Sequence, residues 1–307
     1  MFQIQILGTS SAIPTHLRKL SAQVVTINDR HHLVDCGEGT QMQMLRYKVK
    51  LARLDAIFIS HMHGDHVLGL PGLLNSLTMY ERNFPLKLFG PASLKRMLEE
   101  IFSCTFSHLG YELDFVALED FEPGDVIFQK PSYEVELLPL DHRIFCRGFL
   151  FRETHKRPKF DFYKAKSMDI PNAYFNLLKQ GNSIQLEDGR TIQPQEVLMD
   201  PDPPFSYAYC SDTCYHEALI PHLKEVQFLY HEATFMEKLS ARAKSTHHST
   251  AREAATIAQR SGAKHLLLGH FSARYKSLEP LLEEAREIFP HTYLAREGDI
   301  YKLKEYV

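Results

Sequence analysis

The chain of 307 residues contains no tryptophan, has only five cysteines and carries a net charge of −3 at neutral pH. No apolar run approaches the roughly 18 residues that a membrane-spanning helix needs, so no such helix is expected. The cysteines are odd in number and form no C-x-x-C pair, which favours a reduced, cytoplasmic protein. The small net charge excludes a polycation. It neither supports nor excludes nucleic-acid binding, because local patches matter more than the sum.

The N-terminus lacks a signal-peptide pattern, and residues 1–7 alternate like a first strand. With 44% hydrophobic residues, the chain can form one large core or two small ones. Two of the cysteines, Cys210 and Cys214, flank Asp212 and are therefore candidate metal ligands. The alternative, a pair of buried thiols, is the more common role of free cysteine.

What the sequence does contain is a run of metal-binding side chains directly after an apolar segment. Residues 54–60 predict a short buried strand. The loop that follows carries four such side chains, namely His61, His63, Asp65 and His66. Alternation places the first two on one side of the extended chain, and Gly64 permits a turn that directs the other two to a neighbouring position. Imidazole suits zinc and a carboxylate can be ligand or base, so one loop can serve two adjacent cations. The alternative, four solvated side chains, is disfavoured because crowded imidazoles repel one another once protonated.

Three further candidate ligands follow strand-like runs elsewhere. His142 comes after residues 135–140, Asp212 after residues 207–211, and His270 after residues 265–269. Sites in α/β folds lie at the carboxyl ends of strands, so this repeated placement supports one shared site.

Apolar periodicity predicts alternating strands and helices over most of the chain. In the first half, strands are predicted at 3–7, 22–27, 31–35, 54–60, 86–89 and 146–151, with three short β segments before His142, and helices at 38–47, 67–80 and 92–102. In the second half, strands at 207–210, 227–230 and 265–268 alternate with helices at 215–223, 250–261 and 278–288. This alternation is typical of an α/β protein.

The stretch from about 153 to 185 breaks the alternation. Between 152 and 168 it carries six basic residues and two acidic ones, with three aromatic residues interleaved. The basic residues are Arg152, Lys156, Arg157, Lys159, Lys164 and Lys166, and the aromatic ones are Phe160, Phe162 and Tyr163. Phosphates could pair with these cations while the rings stack on bases or bury against a partner. The alternative is a solvated loop whose aromatics pack locally.

Two more residues suit proton transfer. A pair of divalent cations would lower the pKa of water towards about 7 and hold phosphate oxygens, which leaves the departing alkoxide in need of an acid. His248 precedes a predicted helix that Ser249 or Thr250 would cap. Glu232 follows another strand, and a carboxylate beside an imidazole orients it and raises its pKa. Alternatively, Ser249 and Thr250 only cap the helix and Glu232 only pairs with an arginine.

The pattern H-x-H-x-D-H at residues 61–66 resembles the metallo-β-lactamase superfamily. Further motifs narrow the resemblance to one family, namely His142 with Gly148, Ser211-Asp212-Thr213, His231-Glu232-Ala233-Thr234-Phe235, His248-Ser249-Thr250 and His270-Phe271-Ser272-Ala273-Arg274-Tyr275. Together they resemble ribonuclease Z, the tRNA 3′-processing endonucleases, over nearly all of the chain.

The resemblance implies an α/β metallo-β-lactamase fold, a four-layer αβ/βα sandwich that forms a single domain over residues 1–307. The basic stretch at 153–185 would be an inserted flexible arm, an exosite for tRNA. Two Zn²⁺ per subunit are implied, the first bound by His61, His63 and His142, the second by Asp65, His66 and His270, with Asp212 bridging them. Asp65 would also accept a proton from the attacking water, and His248, supported by Glu232, would protonate the leaving oxygen.

The implied enzyme is a zinc-dependent endoribonuclease that removes the 3′ trailer from precursor tRNA. The cut would leave a 3′-hydroxyl on the tRNA and a 5′-phosphate on the trailer. A cytoplasmic homodimer is implied, in which the arm of one subunit holds tRNA for the other, and no membrane partner. Two alternatives stay open. One is a small-molecule hydrolase on the same fold, such as a phosphodiesterase, arylsulfatase or lactonase, and the other is an inactive metal-stabilised RNA-binding protein.

Overall fold

The computed structural model describes residues 1–154, 158–201 and 203–306. The contacts within the chain divide it into two compact units. The larger consists of Met1–Gln129, Glu134–Arg152 and the chain from Phe205 onward, and the smaller of Lys130–Tyr133 and Glu153–Pro204.

The described residues form short strands and helices along the whole chain. The strands are β1 (Phe2–Gly8), β2 (Ser10–Ser11), β3 (Ala22–Ile27), β4 (Arg30–Val34), β5 (Leu54–Phe58), β6 (Leu86–Gly90), β7 (Leu113–Ala117), β8 (Val126–Lys130), β9 (Tyr133–Pro139), β10 (Arg147–Glu153), β11 (Lys159–Phe160), β12 (Ile184–Gln185), β13 (Thr191–Ile192), β14 (Leu198–Met199), β15 (Ser206–Cys210), β16 (Phe228–Glu232), β17 (His265–Gly269), β18 (Phe271–Ser272), β19 (Thr292–Leu294) and β20 (Ile300–Lys302). The helices are α1 (Thr40–Arg46), α2 (Gly64–Val67), α3 (Leu70–Met79), α4 (Ala92–Cys104), α5 (Phe162–Ser167), α6 (Phe175–Lys179), α7 (Ser240–Thr246), α8 (Ala251–Ser261) and α9 (Glu279–Arg286).

Two seven-stranded sheets form the frame of the larger unit. Their strand orders are β20-β1-β3-β4-β5-β6-β7 and β19-β17-β16-β15-β10-β9-β8. β4, β5 and β6 run parallel in the first sheet, as do β15, β16 and β17 in the second. Parallel strands bring their carboxyl ends to one edge of a sheet, which is where α/β folds place ligand sites.

Aromatic side chains fill the space between the two sheets. Phe58 on β5 stacks on Phe89 with ring centroids 4.8 Å apart, and its centroid lies 5.3 Å from that of Phe149 on β10 of the other sheet. All three rings are buried. The Tyr209 hydroxyl on β15 donates a 2.7 Å hydrogen bond to Asp35 Oδ2, directly after β4. The inner faces of the sheets are thus tied together by both apolar and polar contacts.

Helices cover the outer faces, which completes the predicted αβ/βα layering. α1, α3 and α4 contribute buried residues to the core of the first sheet, and α8 and α9 to that of the second. α8 has clear sequence reasons for its limits. Thr250 caps its first turn in a reciprocal pair of hydrogen bonds with Glu253, and Gly262 ends it with a left-handed φ of 70°.

The smaller unit has its own apolar core. Two short antiparallel pairs, β11 with β14 and β12 with β13, enclose buried residues that include Phe160, Phe175 and Leu178. This compact unit extends to Pro204, whereas the sequence predicts an arm that ends near residue 185. Of the predicted basic residues, Lys156 and Arg157 lie outside the described residues.

Most predicted strands and helices are confirmed to within a few residues, with two clear exceptions. The helix predicted at 215–223 is wrong, because the chain there forms only a short 3-10 turn, Glu217–Leu219. Pro221 has no N–H to donate and so interrupts helical hydrogen bonding. The helix predicted at 67–80 is divided into α2 and α3 at Gly69. None of the helices in the part of the chain that the structure describes is long and apolar enough to cross a bilayer.

Candidate active site

Gly69, at the break between α2 and α3, joins the histidine-rich loop that follows β5 to the loop that follows β4. The Gly69 N–H donates a 2.9 Å hydrogen bond to the Cys36 carbonyl. A Cβ at Gly69 would lie 2.2 Å from the Gly37 carbonyl oxygen, so only glycine permits this approach. The break therefore holds the histidine-rich loop close to Asp35.

One group of donor atoms comes from three histidines and one aspartate. His61 Nε2 and His142 Nε2 each lie 3.1 Å from His63 Nδ1. Asp212 Oδ2 lies 3.6 Å from His61 Nε2 and 3.8 Å from His142 Nε2. All four atoms lie within 4.8 Å of one another.

A second group adjoins the first through the same aspartate. His66 Nε2 lies 3.1 Å from His270 Nε2, and Asp65 Oδ2 lies 3.5 and 3.4 Å from these two nitrogens. Asp212 Oδ1 lies 3.3 Å from His66 Nε2 and 3.2 Å from His270 Nε2. The two oxygens of Asp212 thus face different groups, and the structure brings together all seven residues predicted to bind metal.

Hydrogen bonds from the opposite ring nitrogen orient four of these histidines. His66 Nδ1 donates to Asp35 Oδ2 at 2.7 Å, and His142 Nδ1 donates to the His247 carbonyl at 2.8 Å. Ser60 Oγ donates to Asp35, so it accepts from His61 Nδ1 at 2.9 Å. Thr234 Oγ1 donates to the His270 carbonyl, so it accepts from His270 Nδ1 at 3.0 Å. With Nδ1 as donor in each ring, the Nε2 lone pair is left for the centre of the site.

The distances, the tautomers and the charge all fit divalent metal ions. Two nitrogens bound to one tetrahedral zinc at about 2.0–2.1 Å would lie about 3.3 Å apart, close to the nitrogen pairs described above. Burial alone would lower the pKa of His66, but Asp212, Asp65 and Asp35 raise it well above its usual value. The same buried negative charge would attract a cation. Burial raises the pKa of the Asp212 carboxyl, whereas His270, His66 and His61 lower it, and the net result is well below its usual range.

His248 and Glu232 form a pair beside these groups. Glu232 is fully buried, and its Oε1 lies 2.7 Å from His248 Nδ1. Its carboxylate also accepts the N–H groups of Thr213 and Thr234, both at 3.1 Å, so the buried charge is well satisfied. Burial alone would lower the pKa of His248, but the Glu232 carboxylate raises it to about 9. Glu232 therefore pairs with His248 and not with an arginine, and Thr250, not Ser249, is the helix cap.

An open cleft of about 480 Å³ gives access to this site. Asp65, Asp212 and His248 line it together with Arg143, whose side chain is exposed. The Ala12 N–H donates a 2.7 Å hydrogen bond to Asp65 Oδ2 and so fixes that carboxylate at the edge of the cleft. A substrate can thus reach both aspartates and the imidazole from one side.

Comparisons with known proteins agree with this geometry. Residues 2–155 match the family model described as Anti-Pycsar protein Apyc1. Over almost the whole chain, the ribonuclease Z of Parabacteroides distasonis is 42% identical across 302 residues, which cover 97% of each protein. The ribonuclease Z of Porphyromonas gingivalis is 40% identical across 296 residues, which cover 96% of this chain and 97% of that protein. This chain belongs to the ribonuclease Z family.

Solved structures show the fold of the family. Human tRNase Z, short form, superposes with a TM-score of 0.69 at 24% identity and covers 98% of this chain and 99% of that one. The metallo-beta-lactamase fold protein YhfI from Bacillus subtilis superposes with a TM-score of 0.68 at 19% identity and covers 98% of both chains. The predicted metallo-β-lactamase fold and the predicted enzyme family are therefore confirmed.

The sequence assigned no orienting role to several residues that the structure shows in one, namely Ala12, Asp35, Ser60, Thr234 and His247. Of these, only Thr234 lies within one of the ribonuclease Z motifs. Asp35 carried one signal, because it is a charged residue at the end of a predicted strand, and it is fully buried. Of the two cysteines considered as ligands, Cys210 is buried in the apolar core of the second sheet. Cys214 lies outside both histidine groups, beside Asp141.

Proposed function

We propose that this chain removes the 3′ trailer from precursor tRNA as an endoribonuclease with two zinc ions per subunit. The proposal depends mainly on one observation, namely that the two oxygens of Asp212 face two separate groups of donor atoms. His61, His63 and His142 would hold one ion, Asp65, His66 and His270 the other, and Asp212 would bridge them. When bound, such a pair activates water and stabilises the charge on a phosphodiester.

Two side chains of the cleft would then carry out the two proton transfers, one from the attacking water and one to the leaving oxygen. Asp65, held by the Ala12 N–H, would accept a proton from the attacking water at one of its carboxylate oxygens. His248 has its Nδ1 engaged by Glu232, so its Nε2 would donate a proton to the leaving 3′ oxygen. The products would be a tRNA with a 3′-hydroxyl and a trailer with a 5′-phosphate. Arg143 is exposed beside this site, forms no ion pair with a described residue and would bind a backbone phosphate.

The segment 153–185 is proposed as an arm that grips tRNA outside the cleft. Lys164 and Lys166 are exposed on α5, and the ring of Tyr163 is 90% exposed, so cations and a stacking surface lie together. Phe160 is excluded from this role, because its ring is buried against Phe175 at 4.8 Å. The arm supports an RNA substrate over a small molecule, which needs no such contact.

The decisive test is cleavage of a 5′-labelled precursor tRNA that carries a 3′ trailer, with and without a chelator. We expect one chelator-sensitive product that ends near the discriminator base. His248→Ala should slow that cut by about 10²- to 10⁴-fold, as expected for loss of a general acid, while metal analysis finds the ions still bound. Stepwise shortening would refute endonucleolytic cleavage. Hydrolysis of bis(p-nitrophenyl) phosphate without any tRNA cleavage would favour the small-molecule alternative.

Removal of residues 153–204 as a unit tests the arm without cutting through its core. We expect loss of tRNA cleavage and unchanged hydrolysis of the small phosphodiester. Equal loss of both activities would contradict the exosite.

A cytoplasmic homodimer is part of the same proposal, and five free cysteines are consistent with a reducing compartment. If one subunit's arm serves the other's cleft, mixing the arm-deleted protein with His248→Ala should restore cleavage that neither shows alone. Absence of such complementation, with mixed dimers shown by mass, would argue that each subunit uses its own arm.

A further inference from the structure

A third cluster of metal-binding side chains lies beside the groups already described. It consists of Asp141, Cys214 and His247, whose donor atoms lie within 4.8 Å of one another. Cys214 Sγ lies 3.0 Å from Asp141 Oδ2, and His247 Nδ1 lies 3.4 Å from Asp141 Oδ1. A thiol and an imidazole thus converge on the two oxygens of one carboxylate. None of these three side chains has a part in the proposed cleavage of RNA.

Backbone hydrogen bonds fix the two loops that carry Asp141 and Cys214. The Asp141 N–H donates to Thr213 Oγ1 at 3.0 Å, and the Cys214 N–H donates to the Asp141 carbonyl at 2.9 Å. The two side chains therefore meet without any rearrangement of the main chain. Such preorganisation lowers the cost of binding an ion.

The backbone at the end of α7 fixes the position of His247. It follows α7 with φ 52° and ψ 51°, a left-handed geometry that glycine adopts more readily than histidine. Its carbonyl accepts the hydrogen bond from His142 Nδ1. Glycine would supply that carbonyl equally well, so the backbone role alone does not explain an imidazole here.

The Nδ1 atom of His247 has an incomplete polar environment. It is shielded from solvent, and its contact with Asp141 Oδ1 at 3.4 Å is poorly oriented for a hydrogen bond. The Cys214 thiol already donates a hydrogen bond to Asp141, and a metal ion between the three side chains would give the His247 nitrogen a direct partner.

We propose that Asp141, Cys214 and His247 form a further zinc-binding site, separate from the two histidine groups. One sulfur, one nitrogen and one carboxylate oxygen are ligands that zinc accepts, and water would complete a tetrahedron. On binding, the Cys214 thiol releases its proton to solvent and a zinc–thiolate bond forms. Because His247 orients His142 and precedes His248, an ion here would restrain a residue next to the catalytic pair.

Cobalt(II) is the sharpest probe, because the two histidine groups contain only nitrogen and oxygen donors. The full-length protein is titrated with Co²⁺ beyond the amount that fills those groups. We expect a sulfur-to-cobalt charge-transfer band in the near ultraviolet. It should be lost in Cys214→Ser and weakened at least about tenfold in apparent affinity in His247→Gly, since each change removes one ligand.

Cys104 provides the matched control. It is exposed on α4, far in sequence from any cluster, so Cys104→Ser should keep the full band. Misfolding is not expected to account for a loss of affinity in His247→Gly. Glycine suits the left-handed conformation, and its own carbonyl can still accept the hydrogen bond from His142. In the Cys104→Ser background, Zn²⁺ should also protect Cys214 from alkylation.

Absence of a charge-transfer band in the wild type, or a band that persists in Cys214→Ser, would overturn the proposal. So would a band that His247→Gly leaves unchanged in affinity. Because the readout is spectroscopic, the result is independent of whether the chain cleaves tRNA.

Discussion

Replacement of Glu232 by glutamine would test how the proposed proton donor is tuned. Glu232 is fully buried, and its carboxylate lies 2.7 Å from His248 Nδ1. Glutamine has nearly the same shape as glutamate, and its side-chain oxygen can still accept hydrogen bonds from His248 and Thr213. Its NH₂ group would instead face the Thr234 N–H, so two donors meet. The change thus removes the charge and leaves one unsatisfied contact, which lowers the stability by about 1–3 kcal/mol.

The size of the effect follows from the pKa of His248. Burial lowers it and Glu232 raises it, with a net rise from 6.5 to about 9. Without the carboxylate the largest upward contribution is lost, and burial then opposes the remaining pull of Asp212, so the pKa should return to about its ordinary 6.5. At about pH 7.5 only about a tenth of the imidazole would then carry a proton. The protonated form is the donor, so the turnover number should fall at least about tenfold. The upper limit is the 10²- to 10⁴-fold contribution of a typical general acid.

Single-turnover cleavage of labelled precursor tRNA across a pH series would measure the loss of turnover in Glu232→Gln and its dependence on pH. The wild-type rate should decline as the pH rises through about 9, because His248 then loses its proton. In Glu232→Gln the decline should begin about two units lower, and activity should recover as the pH falls. Glu217→Gln, an exposed carboxylate paired with Arg260, is the matched control and should leave the profile unchanged. A uniform loss at every pH would show that Glu232 does not act through the proton of His248.

Three further changes test other parts of the molecule. Asp65→Ala should lower turnover by several orders of magnitude with only a modest loss of tRNA affinity, and a comparable fall in measured affinity would show that its role is binding. Lys164→Ala combined with Lys166→Ala should weaken tRNA binding and flatten its dependence on salt by up to two units of slope, because each phosphate contact releases about one counterion; an unchanged slope would contradict the arm. Thr250→Ala should lower the free energy of unfolding by about 1 kcal/mol in a denaturant titration, because Thr250 caps α8 together with Glu253. An unchanged free energy of unfolding would contradict the capping role.

Local sequence was sufficient wherever neighbours along the chain determine the structure. The strand before His61 is predicted, and the cap of α8 is narrowed to Ser249 or Thr250, because periodicity and capping act within a few residues. The error at 215–223 has a local origin as well. Leu219 and Leu223 are buried one helical turn apart, which imitates a helix, although Pro221 prevents one. The division at Gly69, in contrast, depends on contact with Cys36, a residue far away in sequence.

The sequence by itself therefore determined the fold class and the family and supplied the candidate metal-binding residues, because motifs and periodicity are written along the chain. Only the tertiary structure decided that the oxygens of Asp212 face two groups, and that Asp35 and Thr234 orient the imidazoles. It alone revealed the cluster of Asp141, Cys214 and His247. Such contacts join residues up to about two hundred positions apart, and their distances are set by how two sheets pack, which no local pattern encodes.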